Sequence, residues 1–455
     1  MKKKNINNSS GLMAGRRWSK REKKMLRTGA ALFTILLILA SFIICSSLHR
    51  RHGAAPKQPK IVRPAECTFG GRSDFCDIEG DLRIDPDTAT IYQVVQSETY
   101  AMLAAGNKIR SPPITIKPYP RNGDDVAMGQ IREWSVKMVP ENHQNLPRCS
   151  GGDQIHDAPG VLFSAGAYFG NYFHAFTDVL VALFVTAHPF NREVVLLVTD
   201  GKPVHVDKFM TLFNGLSRYP TIDIDKGQPA GKPRCFSRLT IGLKGRDGKE
   251  LSINSEQSEY TMADFKRFLR SAYSLKRTTA VKLQTGDNTL IPRLLIISRE
   301  KTRIVTNVEE IENLARELGY RVTVGELDDD VSKTAEFTNG FDVMMGVHGA
   351  GLTNMVFLPE DAVVIQVVPF AADWVSGAYF GEPAEKMGVR YLEYKIEREE
   401  SSLMRQYPPD DVVFTDPASF RWEEFSPIYL QNQNVTIDVT RFKPLLVKGL
   451  ELLHE

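Results

Sequence analysis

Cysteine is scarce in this 455-residue sequence, which contains five cysteines and no Cys-x-x-Cys pair. The long spacings between them argue against a structural zinc site. Cys45 lies within a long apolar run, which leaves Cys67, Cys76, Cys149 and Cys235 for the rest of the chain. In an oxidising compartment these four allow three pairings, and the sequence does not choose among them. We expect Cys67–Cys76 as a local disulfide and Cys149–Cys235 as a long-range one.

Basic residues are not in excess after the first 27 residues. Residues 1–27 contain ten Lys or Arg and one Glu, whereas the rest of the chain contains 47 basic and 54 acidic residues, a net charge of −7. A nucleic-acid-binding protein needs a basic face to displace counterions from phosphates. The mildly acidic body therefore argues against a nucleic-acid partner.

Residues 28–48 form an uncharged run of 21 residues, which is long enough to span a bilayer. It is also longer than the apolar region of an ordinary signal peptide. Because the basic residues before it outweigh Arg50 and Arg51 after it, the positive-inside rule places the N-terminus in the cytosol and the body in a lumen. The predicted order is a cytosolic tail (1–27), a transmembrane anchor (28–48) and a proline-containing stem (49–66). Asn434 would then begin a luminal glycosylation sequon.

Strand and helix patterns alternate through the body, as in α/β proteins. A helix capped by Asn171 lies between two predicted apolar strands, 161–163 and 194–199. A polar segment ending at Pro292 indicates an interdomain hinge. Four more strands are predicted after it: 294–298, 320–324, 341–347 and 362–368. The sequence therefore predicts two α/β domains, 67–285 and 286–455.

The glycine-rich turn Gly346-Val-His-Gly-Ala-Gly-Leu-Thr-Asn354 is the most informative segment. Its spacing matches neither the dinucleotide fingerprint nor the P-loop. A helix beginning near Ala350 would point unpaired N–H groups at a ligand, which predicts an anion site, most simply for a diphosphate. From the glycines alone, an ordinary tight turn is an equal alternative. Arg299 and Arg303 follow another strand, and ligands bind at the carboxyl ends of such strands, which favours the anion site.

Three segments together resemble the plant branch of glycosyltransferase family 61, which includes xylan arabinosyltransferases and xylosyltransferases. They are the glycine turn continued to Pro359, Gly170-Asn-Tyr-Phe-His-Ala-Phe-Thr-Asp178, and Ile297-Ser-Arg299. The resemblance covers the chain from Cys67 onward. It implies a type II Golgi membrane protein with a GT-B-like pair of Rossmann-type domains facing a cleft. The first domain would then be on the acceptor side, and the second would bind the nucleotide sugar.

The resemblance also implies the chemistry, an inverting transfer of a pentose from a UDP-sugar to xylan or a related polysaccharide. Other polysaccharide-synthesising transferases would be partners in the same membrane. The donor would contact seven residues: Arg299, Arg303, His348, Gly349, Ala350, Gly351 and Asn354. Guanidinium groups suit the diphosphate because they bind phosphate oxygens in a bidentate manner.

The catalytic base is expected on the helix that follows Asn171. His174 and Asp178 are four residues apart and so share one helix face. Relatives have an Asp directly after this His, where the present chain has Ala175, which assigns the proton chemistry to His174 and Asp178. Either His174 is the base and Asp178 orients its ring, or Asp178 is itself the base.

No metal or other cofactor is predicted to be required. Three short Asp-x-Asp matches occur, of the kind that binds a divalent cation on a diphosphate in other transferases, but so short a match arises easily by chance. They are Asp85-Pro-Asp87, Asp223-Ile-Asp225 and Asp328-Asp-Asp330. A glycoside hydrolase would need two acidic groups flanking a glycosidic bond, and no such pair stands out. A non-catalytic carbohydrate-binding or scaffolding subunit is the competing hypothesis from a different class.

Overall fold

The computed structural model describes residues 63–454, except 111, 227–231, 246–248, 255, 257 and 287–288. The predicted tail, anchor and most of the stem lie outside the described residues. The described part belongs to one compact unit, Val62–Glu455, which contains two β-sheets. All strands of the first sheet precede residue 243 and all strands of the second follow residue 292. The architecture is α/β, as predicted, while the domain boundary at 285/286 stays a prediction.

The first sheet is mixed and has the strand order β4-β5-β3-β2-β10-β7-β8-β9, with β1 on β2 and β6 on β10. Strands β7, β8, β9 and β10 are parallel, whereas β2 runs antiparallel to both β10 and β3. The strands are β1 Glu66–Thr68, β2 Phe75–Asp85, β3 Thr90–Val95, β4 Ile114–Ile116, β5 Trp134–Pro140, β6 Ile155–His156, β7 Gly160–Ser164, β8 Val195–Thr199, β9 Ile222–Asp223 and β10 Arg234–Gly242.

The second sheet is entirely parallel and has the order β12-β11-β13-β14-β15. Its strands are β11 Arg293–Ile297, β12 Arg321–Gly325, β13 Val343–Val347, β14 Val363–Val368 and β15 Arg390–Lys395. The first four confirm the predicted strands, and β13 and β14 are buried at every residue, as expected of strands covered on both faces. After β11 the chain forms β12 on one side of it and then β13 on the other side. This order creates a switch point between β11 and β13, where ligands bind in such sheets.

Helices and helical turns connect these strands. The α-helices are Ser97–Ala105, Asp125–Met128, Tyr172–His174, Val181–Ala187, Pro203–Val206, Met210–Leu216, Met262–Ala272, Val308–Glu317, Val331–Asn339, Asp373–Ser376, Glu382–Lys386, Val412–Thr415, Trp422–Phe425 and Val439–Leu452. Asn307 and Glu310 have the sequence spacing of a capping box for the helix Val308–Glu317, but this prediction is wrong, because the Asn307 side chain makes no cap hydrogen bond to that helix. Instead, the Asn307 side chain bonds the backbone of Ile437, donating to its carbonyl at 2.8 Å and accepting from its N–H at 2.9 Å.

The helical segment 172–190 lies between the two sheets. Its α-helical ends flank a π-helical part, Ala175–Leu180, and the Asn171 side chain accepts hydrogen bonds from the N–H groups of Phe173 and His174, which confirms the predicted cap. The Phe176 ring packs 5.9 Å from that of Phe357, which follows the glycine turn. Among the described residues, this is the one helix long and apolar enough to cross a membrane, and it is mostly buried in the protein. It is therefore a core element.

Two disulfides connect the first sheet and its surroundings, Cys67–Cys76 and Cys149–Cys235. These are the two pairs expected from the sequence. The predicted glycosylation residue, Asn434, is partly buried, and its side-chain oxygen accepts from the Ile304 N–H at 3.0 Å. Glycosylation of this residue stays a prediction.

Candidate active site

The glycine turn and the two arginines meet at the switch point of the second sheet. Gly349 has a φ of 145°, which L side chains rarely adopt. A Cβ on Gly349 would lie 2.8 Å from Arg299 Nη1 and 3.1 Å from Arg303 Nη1. Glycine is needed here for both reasons, and its absent side chain lets the two guanidinium groups lie against the turn. A 3-10 helix, Ala350–Phe357, begins immediately after it, close to the predicted helix start.

Within the described part of the chain, the guanidinium groups of Arg299 and Arg303 have no ion-pair partner, although acidic side chains line a neighbouring cavity. Burial lowers the pKa of Arg299, and the charge of Glu326 opposes part of that lowering. Burial and then the neighbouring Arg299 lower the pKa of Arg303 to about 10. Its buried Nε also has no hydrogen-bond partner. Two partly buried like charges in contact repel each other, and a bound anion would remove that repulsion.

The backbone and side-chain contacts hold this pair in place. Arg299 Nε donates to the Thr302 carbonyl at 2.8 Å, and its Nη2 donates to the Thr302 hydroxyl at 3.1 Å. Arg303 has a φ of 54°, an uncommon value for a residue with a side chain. Such backbone conformations persist where the surroundings impose them, and they concentrate at functional sites.

His348 belongs to the glycine turn, and its side chain is buried. Its Nδ1 lies 3.3 Å from Gln366 Nε2 and 3.3 Å from the Ser376 hydroxyl. Burial, followed by the charges of Arg303 and Arg299, lowers the pKa of His348 to about 3. The imidazole is therefore neutral at physiological pH. Because Nδ1 faces a donor at Gln366, the other nitrogen would carry the proton and could donate to a ligand.

A cavity of about 260 Å³ opens beside Arg299. Of the predicted donor residues, Arg299, Ala350, Gly351 and Asn354 line it. The wall also includes Tyr172, from the helical segment between the sheets, whose buried hydroxyl has no partner. Of the other three predicted residues, His348 and Gly349 belong to the glycine turn, and Arg303 lies against it. The structure thus brings the predicted donor residues together, with a wall contributed by the other half of the chain.

His174 and Asp178 are in direct contact. His174 Nδ1 lies 3.0 Å from Asp178 Oδ2, and the His174 side chain is 22% exposed while that of Asp178 is 0% exposed. Asp178 also accepts from the Tyr119 hydroxyl at 2.9 Å and from Arg121 Nη1 at 2.8 Å. A fully buried carboxylate with these partners is suited to orienting the imidazole. The other ring nitrogen of His174 has no hydrogen-bond partner among the described residues, and the side chain is partly exposed.

A wider network of charged side chains surrounds Asp178, and it was not predicted from the sequence. Glu250 lies 3.7 Å from Arg121, accepts from Arg72 at 2.8 Å and accepts from the Thr177 hydroxyl at 2.8 Å. The carboxylates of Asp178 and Glu250 raise the pKa of Arg121, although burial alone would lower it. The interacting residues of this network are separated by 57 to 178 positions in the sequence. No local pattern in the sequence indicates such contacts.

Aromatic rings connect the two predicted sites. Phe173, next to His174, stacks on Tyr379 with ring centroids 5.1 Å apart. Phe380 lies 5.5 Å from Phe173 and 5.4 Å from His348. The segment that carries His174 and the glycine turn therefore contact the same aromatic cluster.

The three Asp-x-Asp matches have local structural roles. Asp225 accepts from the Thr199 hydroxyl and the Asp200 N–H, Asp330 caps the helix Val331–Asn339, and Asp85 accepts from the Thr88 hydroxyl. Asp328 does line the cavity beside Arg299. Among the residues that the structure describes, no group of three His, Cys, Asp or Glu is placed to hold a metal ion. The absence of a metal requirement stays a prediction.

Comparisons with known proteins identify the family. The sequence profile described as glycosyltransferase 61 matches residues 172–365, which run from the wall of the cavity to β14. A beta-1,2-xylosyltransferase of Oryza sativa subsp. japonica is 38% identical over 85% of this chain and 84% of its own length. The chain belongs to glycosyltransferase family 61. The resemblance inferred from the glycine turn and the His174 segment is thereby confirmed.

Further family 61 relatives have related names. An alpha-1,3-arabinosyltransferase of Oryza sativa subsp. japonica is 43% identical over 85% of this chain, which spans 65% of that relative's length. A xylan glycosyltransferase of Arabidopsis thaliana is 31% identical over 86% of this chain and 80% of its own length. Among solved structures, a dodecameric iron-containing heptosyltransferase matches with 13% identity over 75% of this chain and 84% of its own, at a TM-score of 0.24. That score is too low to support an argument about the fold.

Proposed function

We propose that this protein is an inverting glycosyltransferase that moves a pentose, arabinofuranose or xylose, from a UDP-sugar to a xylan-type polysaccharide. The observation that carries the proposal is the pair Arg299 and Arg303, held without an ion-pair partner against Gly349 at the switch point of a parallel sheet. The names of the family 61 relatives support the sugar and the acceptor class. The two sheets would form the two halves of a GT-B-like enzyme.

The second half would stabilise the leaving group. When the bond between the anomeric carbon and the UDP oxygen breaks, negative charge accumulates on the diphosphate. Arg299 and Arg303 would bind its oxygens, and the first N–H groups of the helix Ala350–Phe357 would donate to the same anion. His348, neutral because of its lowered pKa, would donate one hydrogen bond without adding a third charge. Positive charge from two arginines makes a metal ion unnecessary in this proposal.

The first half would activate the acceptor. An acceptor hydroxyl attacks the anomeric carbon, a new C–O bond forms as the bond to UDP breaks, and the hydroxyl proton passes to the free ring nitrogen of His174. Asp178 holds the ring by its Nδ1 contact and stabilises the imidazolium that forms. Arg121 and Tyr119 in turn hold Asp178. A single displacement of this kind inverts the anomeric configuration.

The proposal is tested by incubating the purified full chain with UDP-arabinofuranose, UDP-xylose and other UDP-sugars on xylo-oligosaccharides. We expect UDP release and a pentosylated product with one of the pentose donors. Stereochemical analysis of the product should show inversion. Binding of xylan without transfer from any donor would instead support the non-catalytic scaffolding hypothesis.

The cellular setting is part of the same proposal. The tail, apolar run and stem predicted from the sequence would make the protein a single-pass type II protein of the Golgi membrane with a luminal body. Its partners there would be xylan and other polysaccharide-synthesising transferases. We expect endoglycosidase to increase the mobility of the membrane-expressed wild type, and Asn434→Gln to abolish that shift. Protease sensitivity of the body in sealed vesicles would contradict the luminal orientation.

A further inference from the structure

Two tryptophan side chains are exposed side by side on the second half of the molecule. Trp374 is 60% exposed and Trp422 is 50% exposed. Their ring centroids are 6.2 Å apart, and both rings pack on Phe425, at 5.8 Å and 6.1 Å. Large aromatic rings that are left in water together commonly mark a binding surface. We call Trp374 and Trp422 the tryptophan platform.

The platform has a rigid base. Phe425 is buried and packs on Tyr429 at 4.7 Å, and the Tyr429 hydroxyl donates to the Val413 carbonyl at 2.7 Å. These residues belong to a small core that is separate from the main one. It contains Ala372, Val375, Leu403, Val413, Phe425, Tyr429 and Leu430. The two exposed rings are therefore fixed from below, so a ligand that stacks on them need not order them first.

The platform is continuous with the candidate active site. Trp374 lies on the short helix Asp373–Ser376, which follows the carboxyl end of β14. Two residues further on, the Ser376 hydroxyl lies 3.3 Å from His348 Nδ1. The next turn carries Tyr379, which stacks on Phe173 beside His174. One helical segment thus joins the exposed tryptophans to both halves of the site.

The polar rim of the platform suits a neutral, hydroxyl-rich ligand. Lys395 forms ion pairs with Asp373 at 3.1 Å and Glu393 at 3.2 Å, and Arg421 lies 3.9 Å from Glu424. Charges of both signs are interspersed, which disfavours a strongly charged partner and offers many donors and acceptors to hydroxyl groups. Sugar rings present C–H groups on their faces, which pack on aromatic rings, and hydroxyls at their edges.

We propose that the tryptophan platform binds the xylan-type acceptor chain by stacking pentose rings on Trp374 and Trp422. This inference rests on the proposed function and extends it, because it assigns the acceptor a remote binding surface outside the reacting centre. Such a surface would hold long acceptors while leaving the chemical step unchanged. Trp374→Ala and Trp422→Ala should each raise KM for long xylo-oligosaccharides by about tenfold, the effect of losing one good aromatic contact.

The matched control is Phe337→Ala. Phe337 is also exposed, at 44%, but it lies on the helix Val331–Asn339, which leads into the amino end of β13. We expect this control to keep wild-type KM. In both tryptophan variants, kcat and UDP affinity should stay within about twofold of wild type, and KM for xylobiose should change little. An unchanged KM for long acceptors in both variants overturns the proposal. So does a variant that changes only the oligomeric state of the chain.

A second measurement does not depend on transfer or on the folding of a variant. The chain has four tryptophans, of which Trp134 is fully buried. In a Trp18→Phe background, acrylamide quenching reports mainly Trp374 and Trp422. Xylohexaose should reduce that quenching in the full chain, even if no donor supports transfer. Quenching that xylohexaose leaves unchanged at saturating concentration contradicts the platform, whereas protection without transfer in any assay contradicts the proposed function alone.

Discussion

The charges beside His174 are paired, whereas those beside Gly349 are not. Asp178 and Glu250 form ion pairs with Arg121 and Arg72, and Asp178 is fully buried. At the second sheet, two guanidinium groups lie together with no ion-pair partner among the described residues. A paired cluster fixes its own geometry before any ligand arrives. An unpaired pair of cations would be completed by an anionic ligand, so the comparison fits the proposed division between proton transfer at the first site and anion binding at the second.

The largest expected effect is on turnover, from His174→Ala. Removing a general base reduces the rate by about 10² to 10⁴. UDP affinity should be retained because the diphosphate contacts lie on the second half. Turnover is measured with the active UDP-pentose after thermal melts have shown that the variant is folded. His188→Ala, at the other end of the same helical segment, is the control and should keep normal turnover. Near-normal turnover in His174→Ala would place the base elsewhere.

The paired cluster should be sensitive to loss of one charge. Arg121→Gln leaves the buried Asp178 without its cation, which we expect to lower the free energy of unfolding by about 3–5 kcal/mol. Urea unfolding at pH 7 measures this change. Arg316→Gln removes an exposed ion pair with Glu312 and should cost less than about 1 kcal/mol. Equal stabilities of the two variants would contradict the assigned role of Arg121.

The unpaired arginines should behave in the opposite way. Arg303→Gln removes a like charge from beside Arg299, so the free energy of unfolding should stay equal or rise, within about 1 kcal/mol. The measurement needs phosphate-free buffer of low ionic strength, since a bound anion would mask the repulsion. A loss of stability as large as that of Arg121→Gln would show that Arg303 has a structural partner, and the comparison between the two sheets would fail.

His348 should make the stability of the protein depend on pH. In the unfolded chain this histidine titrates near pH 6.5, but its pKa in the folded protein is about 3. Between these values the unfolded chain binds a proton that the folded chain does not, so stability falls as pH falls and is constant above pH 6.5. His348→Gln should lose part of the decrease between pH 7 and pH 4.5 in urea unfolding. Parallel pH profiles for wild type and variant would mean that His348 is accessible to protons.

The sequence predicted the elements whose signal is local. Apolar runs predicted β11 to β14. Arg299 and Arg303 follow β11, and the glycine turn begins at the end of β13. Their convergence could be predicted because parallel strands end at one edge of a sheet. The edge strand β15, Arg390–Lys395, carries mostly charged and aromatic residues and was missed.

Long-range partners could not be predicted in the same way. Arg121 reaches Asp178 across 57 residues, and Trp422 meets Trp374 across a segment that includes β15 and several short helices. Those contacts depend on tertiary packing. The capping box at Asn307 failed for the same reason, because the backbone of Ile437 competes for its side chain.

The central claim is that the unpaired arginines form a diphosphate site, and calorimetry of UDP binding tests it most directly. Wild type should bind UDP more tightly than UMP. Arg299→Ala should weaken UDP binding by about 1.5–3 kcal/mol, the contribution of a charge-assisted contact. Arg293→Ala, at the opposite end of the same strand, should leave the affinity unchanged. Wild-type UDP affinity in Arg299→Ala would contradict the account.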